Sequence, residues 1–360
     1  MKHLALAFVI LFGFELRAQT DTIPPPVEEE DFSMYDNLDF ADSGTKRFAT
    51  SKVLDLSPQK LISVGIDFQG PYQLQTDTLS FGGNRLGFPQ ESTFGGSGGL
   101  RLGANIPVVS KNSIIVQMGF SYWENNYYNS KPNELSNPLN QALTDYGLRT
   151  LGLNSTVFKP LNESQFIIFQ GSGDMNGDFT WSSIPSLAET RISLAGIYGW
   201  KPNDRKMIGF GLSRTFRVGE VNYIPVMLLN WTHPNRKWGV EALAPARVHV
   251  RRTFSSRSLL LLGYELEGNS YSLFNNVNPD LNFDLRRSEL RFRAIYERSI
   301  RNFIWLSWQV GYRVNYAFDV DELPQGNDFF RGFFGDQPYA MMNDLGNSFY
   351  TMFSINLVSP

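Results

Sequence analysis

Apolar and polar residues alternate through much of the chain beyond Lys60. In residues 62–69 the even positions carry Ile, Val, Ile and Phe, whereas the odd positions carry Ser, Gly, Asp and Gln. The same two-residue period returns in later runs, at residues 100–106, 116–122, 260–267, 290–297, 306–315 and 353–357. Successive side chains of a β-strand point to opposite faces, so this period indicates strands with one apolar and one polar face. The pattern predicts an all-β chain.

Short turns and long loops alternate between the predicted strands. Short polar turns lie at Ser110–Asn112, Leu161–Glu163, Pro202–Asp204, Pro234–Arg236, Ser255–Ser256 and Ser299–Arg301. Longer loops are expected near residues 70–96, 125–146, 176–187, 268–285 and 317–346. Short turns at one rim and long loops at the other are typical of a transmembrane antiparallel up-and-down β-barrel. A soluble β-sandwich, whose polar faces would lie in water, is the alternative.

The number of strands follows from the direction in which the chain runs. The turns near Asn235 and Ser255 both belong to the short type, so the chain must reverse once between them. We place that reversal at Ala244-Pro245-Ala246. The barrel in residues 59–360 is then expected to have about 14 strands, with 12 as the alternative, because element boundaries are the weakest part of such a prediction.

The amino terminus has the layout of a secretory signal peptide, which we place at residues 1–18. Lys2 and His3 precede the apolar run Leu4–Phe14, whose roughly 11 residues are too few to cross a bilayer as a helix. Residues 19–58 are rich in proline and acidic residues, and we expect a largely disordered periplasmic tail there. A hatch or a partner-binding strap is the alternative for this segment.

Bulk composition narrows the functional classes. The formal net charge is -3, which provides no basic surface for a nucleic acid. Cysteine is absent, so disulfides, thiolate metal sites and thiol nucleophiles are excluded. Beyond the signal peptide no stretch reaches the roughly 20 apolar residues that a transmembrane helix requires. A membrane location therefore requires a closed barrel, since only a closed sheet satisfies every backbone group in lipid.

Charged residues of the predicted strands fall on the inward face. The candidates that line the lumen are Arg101, Arg247, His249, Arg251, Glu289, Arg291, Arg293 and Arg313; Asp67, Glu241, Glu265, Glu267 and Glu297 share this face. If these charges pair, for instance Glu289 with Arg313, they close the barrel with ion pairs. If they line separate walls, they create a transverse field that selects polar solutes.

No motif indicates catalysis, a cofactor or a metal. His249 lacks the adjacent serine and orienting carboxylate of a hydrolase, so we expect no enzyme activity. Residues 174–178 lack the glycine position and the terminal glutamate of a calcium loop. The glycines of residues 95–99 lack the Lys-Ser/Thr of a phosphate loop.

The last long loop carries a group of aromatic residues, at Phe329, Phe330, Phe333 and Phe334. Aromatic side chains on a surface loop are candidates for contact with lipopolysaccharide or with a ligand. They could also fold inward as a constriction, or pack into the barrel mouth.

The layout as a whole resembles the uncharacterised outer-membrane β-barrel families common in Bacteroidota: a signal peptide that ends in Ala-Gln, a short acidic tail, and a barrel that runs to the carboxyl terminus. It is also similar to barrels of the fatty-acid-channel type, although the Asn-Pro-Ala motif of their hatch is missing. These resemblances imply the outer membrane of a diderm bacterium. Outer-membrane lipid and the barrel-assembly machinery are the partners implied.

The leading hypothesis for the function is a passive or gated channel for small polar solutes, with selectivity set by the inward arginine and glutamate side chains. A closed structural or interaction barrel, which binds partners through its loops or tail, is one alternative. A channel for hydrophobic substrates is another, but it would need a lateral gap or an apolar pocket in the lumen.

Overall fold

The computed structural model describes residues 48–81, 84–215, 222–274, 283–322 and 339–359. The strands are β1 (Lys60–Gln69), β2 (Tyr72–Thr76), β3 (Ser80–Phe81), β4 (Asn84–Arg85), β5 (Gln90–Lys111), β6 (Ile114–Asn129), β7 (Leu148–Pro160), β8 (Gln165–Gly177), β9 (Arg191–Asn203), β10 (Lys206–Thr215), β11 (Asn222–Thr232), β12 (Trp238–Ala244), β13 (Arg247–Ser255), β14 (Ser258–Leu273), β15 (Phe283–Arg301), β16 (Ile304–Glu322), β17 (Tyr339–Met341), β18 (Asn343–Leu345) and β19 (Ser348–Val358). The helix α1 spans Pro138–Asp145, and 3-10 turns occupy Pro132–Glu134 and Leu187–Glu189. Within the described ranges, no helix has both the length and the hydropathy to cross a bilayer.

Fourteen antiparallel strands close the barrel. They are β1, β5 to β16, and β19, and each pairs with its neighbour along the chain. β1 completes the circle because it pairs with β5 on one side and with β19 on the other, so that Val64 lies opposite both Leu102 and Ile355. The prediction of an all-β barrel of about 14 strands is confirmed.

The outer face of the barrel is apolar, as the alternation predicted. Large apolar side chains stand exposed along it, for example Phe68 at 50%, Trp308 at 49% and Ile355 at 57%. The inward neighbour Asp67 is buried instead. An exposed apolar belt around a closed sheet is the surface that lipid requires.

The two ends of the barrel differ, and we name them by their connections. At the short-turn end, tight turns follow Lys111, Pro160, Asn203, Thr232, Ser255 and Arg301. The long-loop end carries α1 and the longer connections. Between β12 and β13 the chain reverses at residues 245–246, as the sequence predicted. The turn predicted at Ser299–Arg301 begins later, because Arg301 still pairs with Ile304.

The barrel narrows toward the long-loop end. There, Ser272 near the end of β14 pairs in parallel with Gly177 at the end of β8. This contact closes a smaller ring of β14, β15, β16, β18, β2, β5, β6, β7 and β8. β17 pairs with β16, and the Asn343 side chain of β18 donates to the Phe318 carbonyl of β16. The strands β9 to β13 are not part of that ring.

An apolar core fills the smaller ring, and we call it the apolar cap. Its buried members are Tyr72, Leu74, Leu79, Phe94, Tyr127, Leu139, Leu143, Leu148, Tyr271, Leu273, Phe283, Leu285, Phe318, Val320, Met341 and Leu345. The helix α1 contributes Leu139 and Leu143, and Asn137 caps it by accepting a 3.0 Å hydrogen bond from the Leu139 N–H. The sequence predicted long loops over much of this region. Strands continue there because inward apolar residues at alternate positions bury one another.

The wall opposite the smaller ring is short. β12 and β13 have 7 and 9 residues, whereas β15 and β16 have 19 each. Above the β12–β13 hairpin, residues 222–226 of β11 pair only with β10, and residues 267–271 of β14 pair only with β15. Strand pairing among the described residues is thus interrupted between β11 and β14. We call this interruption the notch.

Candidate functional site

Charged residues from five strands meet in the lumen, and we call them the ion-pair cluster. They are Asp67 on β1, Arg101 on β5, Glu267 on β14, Arg287, Glu289 and Arg291 on β15, and Arg313 on β16. Strand register places Glu267 directly opposite Glu289, and Arg291 directly opposite Arg313. Like charges that face each other across two strands repel. Each of these pairs therefore needs opposite charge from other positions.

Toward β1 and β5, two arginines share two carboxylates. Arg101 contacts Asp67 at 2.6 Å and Glu267 at 3.1 Å. Arg291 contacts the same Glu267 at 2.9 Å and the same Asp67 at 3.4 Å. Because each arginine reaches both carboxylates, no single contact holds this part of the ion-pair cluster.

Toward β15 and β16, one carboxylate serves three arginines. Glu289 is contacted by Arg291 Nη2 at 2.5 Å, by Arg287 Nη2 at 3.0 Å and by Arg313 Nε at 3.6 Å. Arg313 is 0% exposed, and Arg291 and Glu289 are 1% exposed. Removal of one member of such a buried set leaves uncompensated charge and costs roughly 3–5 kcal/mol. The ion-pair cluster therefore blocks this part of the lumen.

The predicted lumen residues all stand on inward-facing positions, but only some of them meet. Arg101, Glu289, Arg291 and Arg313 belong to the ion-pair cluster. Arg293 lies beside it and pairs with Glu265.

The three candidates on β13 lie apart from the ion-pair cluster. His249 Nε2 accepts a 3.0 Å hydrogen bond from Arg293 Nε. Arg247 is exposed and lines an internal cavity. Arg251 pairs with Glu241 at 2.9 Å near the short-turn end. The lumen thus contains separate ionic groups at different positions along the barrel axis.

Sequence reasoning missed Arg287. The predicted loop ends at residue 285 and the predicted strand run begins at residue 290, so that Arg287 fell between them. A signal was present, because Phe283, Leu285, Arg287 and Glu289 occupy alternate positions of one strand. Their change from apolar to charged marks the boundary between the apolar cap and the ion-pair cluster.

Two of the cavities that the described residues line lie in the lumen. The larger has a volume of about 510 Å³ and the smaller a volume of about 280 Å³. One wall of the larger cavity carries uncharged polar side chains, such as Asn154 and Gln170. Its wall near the notch is apolar and includes Val226 and Leu243. Glu265 lines both cavities, so the two are neighbours along β14.

Residues 48–59 lie along the short-turn end, and we call them the strap. Backbone hydrogen bonds of 2.8 Å tie Ala49 to the β7–β8 turn and Leu54 to the β9–β10 turn. Further along, Ser57 donates to the Glu241 carboxylate from its backbone N–H at 2.9 Å and also from its hydroxyl. The strap therefore connects the ends of several short strands.

Apolar contacts hold the strap as well, since Val53 is buried against Phe158 and Phe166. The sequence assigned residues 19–58 to a largely disordered tail. Their last part is packed on the barrel instead, because its apolar side chains find partners there. Residues 1–47 lie outside the described residues, so the signal peptide and the remaining tail stay predictions.

The aromatic candidates of the last long loop also lie outside the described residues; they are Phe329, Phe330, Phe333 and Phe334. Their contact role stays a prediction. In the part of the chain that the structure describes, no group of three or more His, Asp or Glu side chains is placed to hold a metal ion.

A closed antiparallel sheet with an apolar outer belt and charges inside defines a membrane β-barrel. The chain belongs to the family described as Domain of unknown function (DUF6268), whose model matches residues 133–357. The resemblance to a barrel family without an assigned function is thereby confirmed. A comparison with curated proteins gives no significant match.

Solved barrels show how far the structural similarity reaches. An outer-membrane channel from Pseudomonas putida F1 aligns with a TM-score of 0.37 and 11% identity, over 89% of this chain and 100% of that chain. A FadL homologue from Pseudomonas aeruginosa aligns with a TM-score of 0.35 and 10% identity, over 83% and 90%. The outer-membrane protease OmpT from Escherichia coli aligns with a TM-score of 0.26 and 9% identity, over 84% and 98%. Similarities this weak transfer no function.

Proposed function

We propose that this protein is a gated channel for small polar solutes in the outer membrane of a diderm bacterium, and that the described conformation is its closed state. The observation that carries the proposal is the ion-pair cluster, which closes part of the lumen beside two internal cavities. Ion pairs between strands can exchange partners without unfolding the sheet. A block of this kind is therefore suited to open and close.

The larger cavity supports a polar solute. Amide and hydroxyl groups of Asn154, Thr156 and Gln170 line it. Such groups donate and accept hydrogen bonds, so they replace the water that a polar solute loses on entry. Arg247 and Glu265 at the same cavity provide the charges that would select among solutes.

Gating is better supported at the ion-pair cluster than at the apolar cap. Glu289 holds three arginines at once, so a solute anion or a transverse field that displaces one contact shifts the other two. The apolar cap offers no comparable polar contact for a solute to compete with. We therefore place the gate at Glu289 and its partners.

No catalytic group, cofactor or nucleic acid enters this proposal. The hydrogen bond of His249 comes from Arg293, a cation, and not from a serine hydroxyl that could act as a nucleophile. Outer-membrane lipid around the apolar belt and the barrel-assembly machinery are the partners that we propose.

Planar-bilayer recording of the purified full-length protein tests the channel. We expect rare openings for the wild type and frequent openings for Glu289→Gln, because three buried arginines then repel one another. The matched control is Glu297→Gln, which removes a buried carboxylate that pairs with Lys60 at 2.6 Å outside the ion-pair cluster. Heat-modifiable gel mobility verifies that each variant is folded.

Silence of both the wild type and the folded Glu289→Gln variant at every voltage would contradict the channel. The closed interaction barrel would then be the better hypothesis. If Glu297→Gln opens as often as Glu289→Gln, a channel exists but the ion-pair cluster is not its gate.

A channel for amphipathic substrates is the second candidate, and the notch favours it. Beside the notch the larger cavity is lined by the apolar residues Ile224, Val226 and Leu243, whereas the opposite wall is polar. A molecule with a polar head and an apolar chain fits both walls. Proteoliposomes that pass a sugar but no fluorescent fatty acid support the first candidate, and the reverse pattern supports the second.

A further inference from the structure

Positive charge exceeds negative charge in the ion-pair cluster. Its four arginines face three carboxylates, which leaves one positive charge uncompensated within this set. The adjacent Arg293 and Glu265 pair with each other and do not change that balance. An uncompensated charge that is shielded from water is strongly unfavourable. Within the described residues, this set therefore keeps one excess positive charge.

Two arginines of the ion-pair cluster also have unused hydrogen-bond donors. Arg287 donates from Nη2 to Glu289, but its Nε and Nη1 find no acceptor among the described residues. Arg313 donates from Nη1 to Gln69, and its Nη2 finds none there. These arginines are 2% and 0% exposed. Because buried N–H groups are nearly always bonded, the donors point to an acceptor beyond the described residues.

An aromatic group of the apolar cap lies against one of these arginines. The Arg313 guanidinium lies 4.9 Å from the centre of the Tyr72 ring. The Tyr72 ring stacks on Phe94, whose ring also makes an edge-on contact with Tyr127. The Tyr127 hydroxyl is buried and has no partner among the described residues. The boundary between the apolar cap and the ion-pair cluster thus combines guanidinium donors with a free phenol hydroxyl.

We propose that this boundary binds one small inorganic anion, such as chloride, between Arg287, Arg313 and Tyr127. The anion accepts hydrogen bonds from the unused N–H groups and compensates the excess positive charge. A water molecule can accept the same hydrogen bonds but leaves the charge in place. Nothing in this site requires the barrel to conduct, so its test is independent of the proposed channel.

Bromide is the probe, because it replaces chloride and can be located by its anomalous scattering. The full-length protein is purified in detergent with gluconate as the only anion and is then crystallised with bromide. We expect one anomalous peak within hydrogen-bond distance of Arg287 and Arg313. At constant ionic strength, the unfolding temperature should rise with bromide and reach a plateau.

Arg287→Gln should remove the anomalous peak and weaken the apparent bromide affinity at least about tenfold, because it removes a charge-assisted donor. The matched control is Arg251→Gln. Arg251 is also 0% exposed, but its guanidinium donates to Glu241, Thr232 and Thr253 and has no unused group. This control should retain both the peak and the plateau.

Tyr127→Phe provides a second test of the site in case the Arg287→Gln variant does not fold. It removes one hydroxyl, keeps every charge and should weaken bromide binding several-fold. A water molecule in place of the peak beside an ordered Arg287 would overturn the proposal. So would a peak that persists in Arg287→Gln, or an equal dependence on bromide in Arg287→Gln and Arg251→Gln.

Discussion

On one side of the long-loop end, which we call the cap side, β15 and β16 run for 19 residues each and bury Leu285, Phe318 and Val320 in the apolar cap. On the notch side, which comprises β9 to β13, β12 and β13 run for 7 and 9 residues beside a cavity of about 510 Å³. Packing closes the first side, whereas free volume occupies the second. Strand length within one sheet thus decides where the lumen is filled and where it is hollow.

The two sides are also stabilised at opposite ends of the barrel. The cap side has its own core at the long-loop end. The notch side is held at the short-turn end, where the strap bonds to the β9–β10 turn and to Glu241 of β12. Substitutions in the apolar cap should therefore destabilise the cap side, and substitutions at the short-turn end should destabilise the notch side.

The largest effect is expected on the cap side. Phe94→Ala empties a position that is 0% exposed and should lower the free energy of unfolding by about 3–5 kcal/mol. The outward Phe292, which is 50% exposed, is the control, and Phe292→Ala should lower it by less than about 1 kcal/mol. The unfolding midpoint in detergent, read from heat-modifiable mobility, measures both. Equal losses would mean that the apolar cap is not a core.

Glu241→Gln should come next, with a loss of about 3 kcal/mol in unfolding free energy. Arg251 is 0% exposed and loses its carboxylate, and Ser57 of the strap loses an ionised acceptor. The same unfolding assay measures the loss. A midpoint within error of the wild type would show that this pair does not stabilise the notch side.

A smaller effect isolates the strap. Ser57→Ala removes the hydroxyl bond to Glu241 but retains the backbone bond, and it should lower the unfolding free energy by about 1–2 kcal/mol. Ser255→Ala, in an exposed turn at the same end, is the control and should change little. If the two variants lose the same stability, the strap does not support the notch side.

The smallest effect is expected at the outer end of the strap. Asp55 raises the pKa of Arg236 by hydrogen bonding to it, and the two side chains are 2.7 Å apart. The pair is exposed to solvent, where salt screens it. Arg236→Ala should therefore leave the unfolding midpoint unchanged at physiological salt. A clear loss would show that the strap depends on this ion pair as well.

Much of the fold could be predicted from the sequence, because lipid imposes a strict period on each spanning strand. The alternation in β1 and β16 and the reversal near Pro245 were sufficient to give about 14 strands. The apolar cap could not be predicted in this way. Its strands lack a lipid-facing apolar row at residues 125–129 and 268–271, so that they resembled loops.

The candidate site was predictable only in part. Period-two reasoning assigns a side chain to the lumen, and it did so for Arg101, Glu289 and Arg313. The alternation does not predict which charged side chains form ion pairs, because contacts across the lumen depend on strand tilt and stagger. The contact of Arg101 with Glu267, on strands far apart in the barrel, is of this kind. The packing of the strap was not predicted, because the acidic, proline-rich segment before it led to the assignment of all of residues 19–58 to a disordered tail.

Accessibility of introduced cysteines tests the difference between the two sides most directly. The chain has no cysteine, so Gln170→Cys in the larger cavity and Leu285→Cys in the apolar cap each provide a single thiol. A small water-soluble methanethiosulfonate is added to the folded variants in proteoliposomes. We expect rapid modification at position 170 and protection at position 285. Equal rates at the two positions, or faster modification at 285, would contradict a barrel that is filled on its cap side and hollow on its notch side.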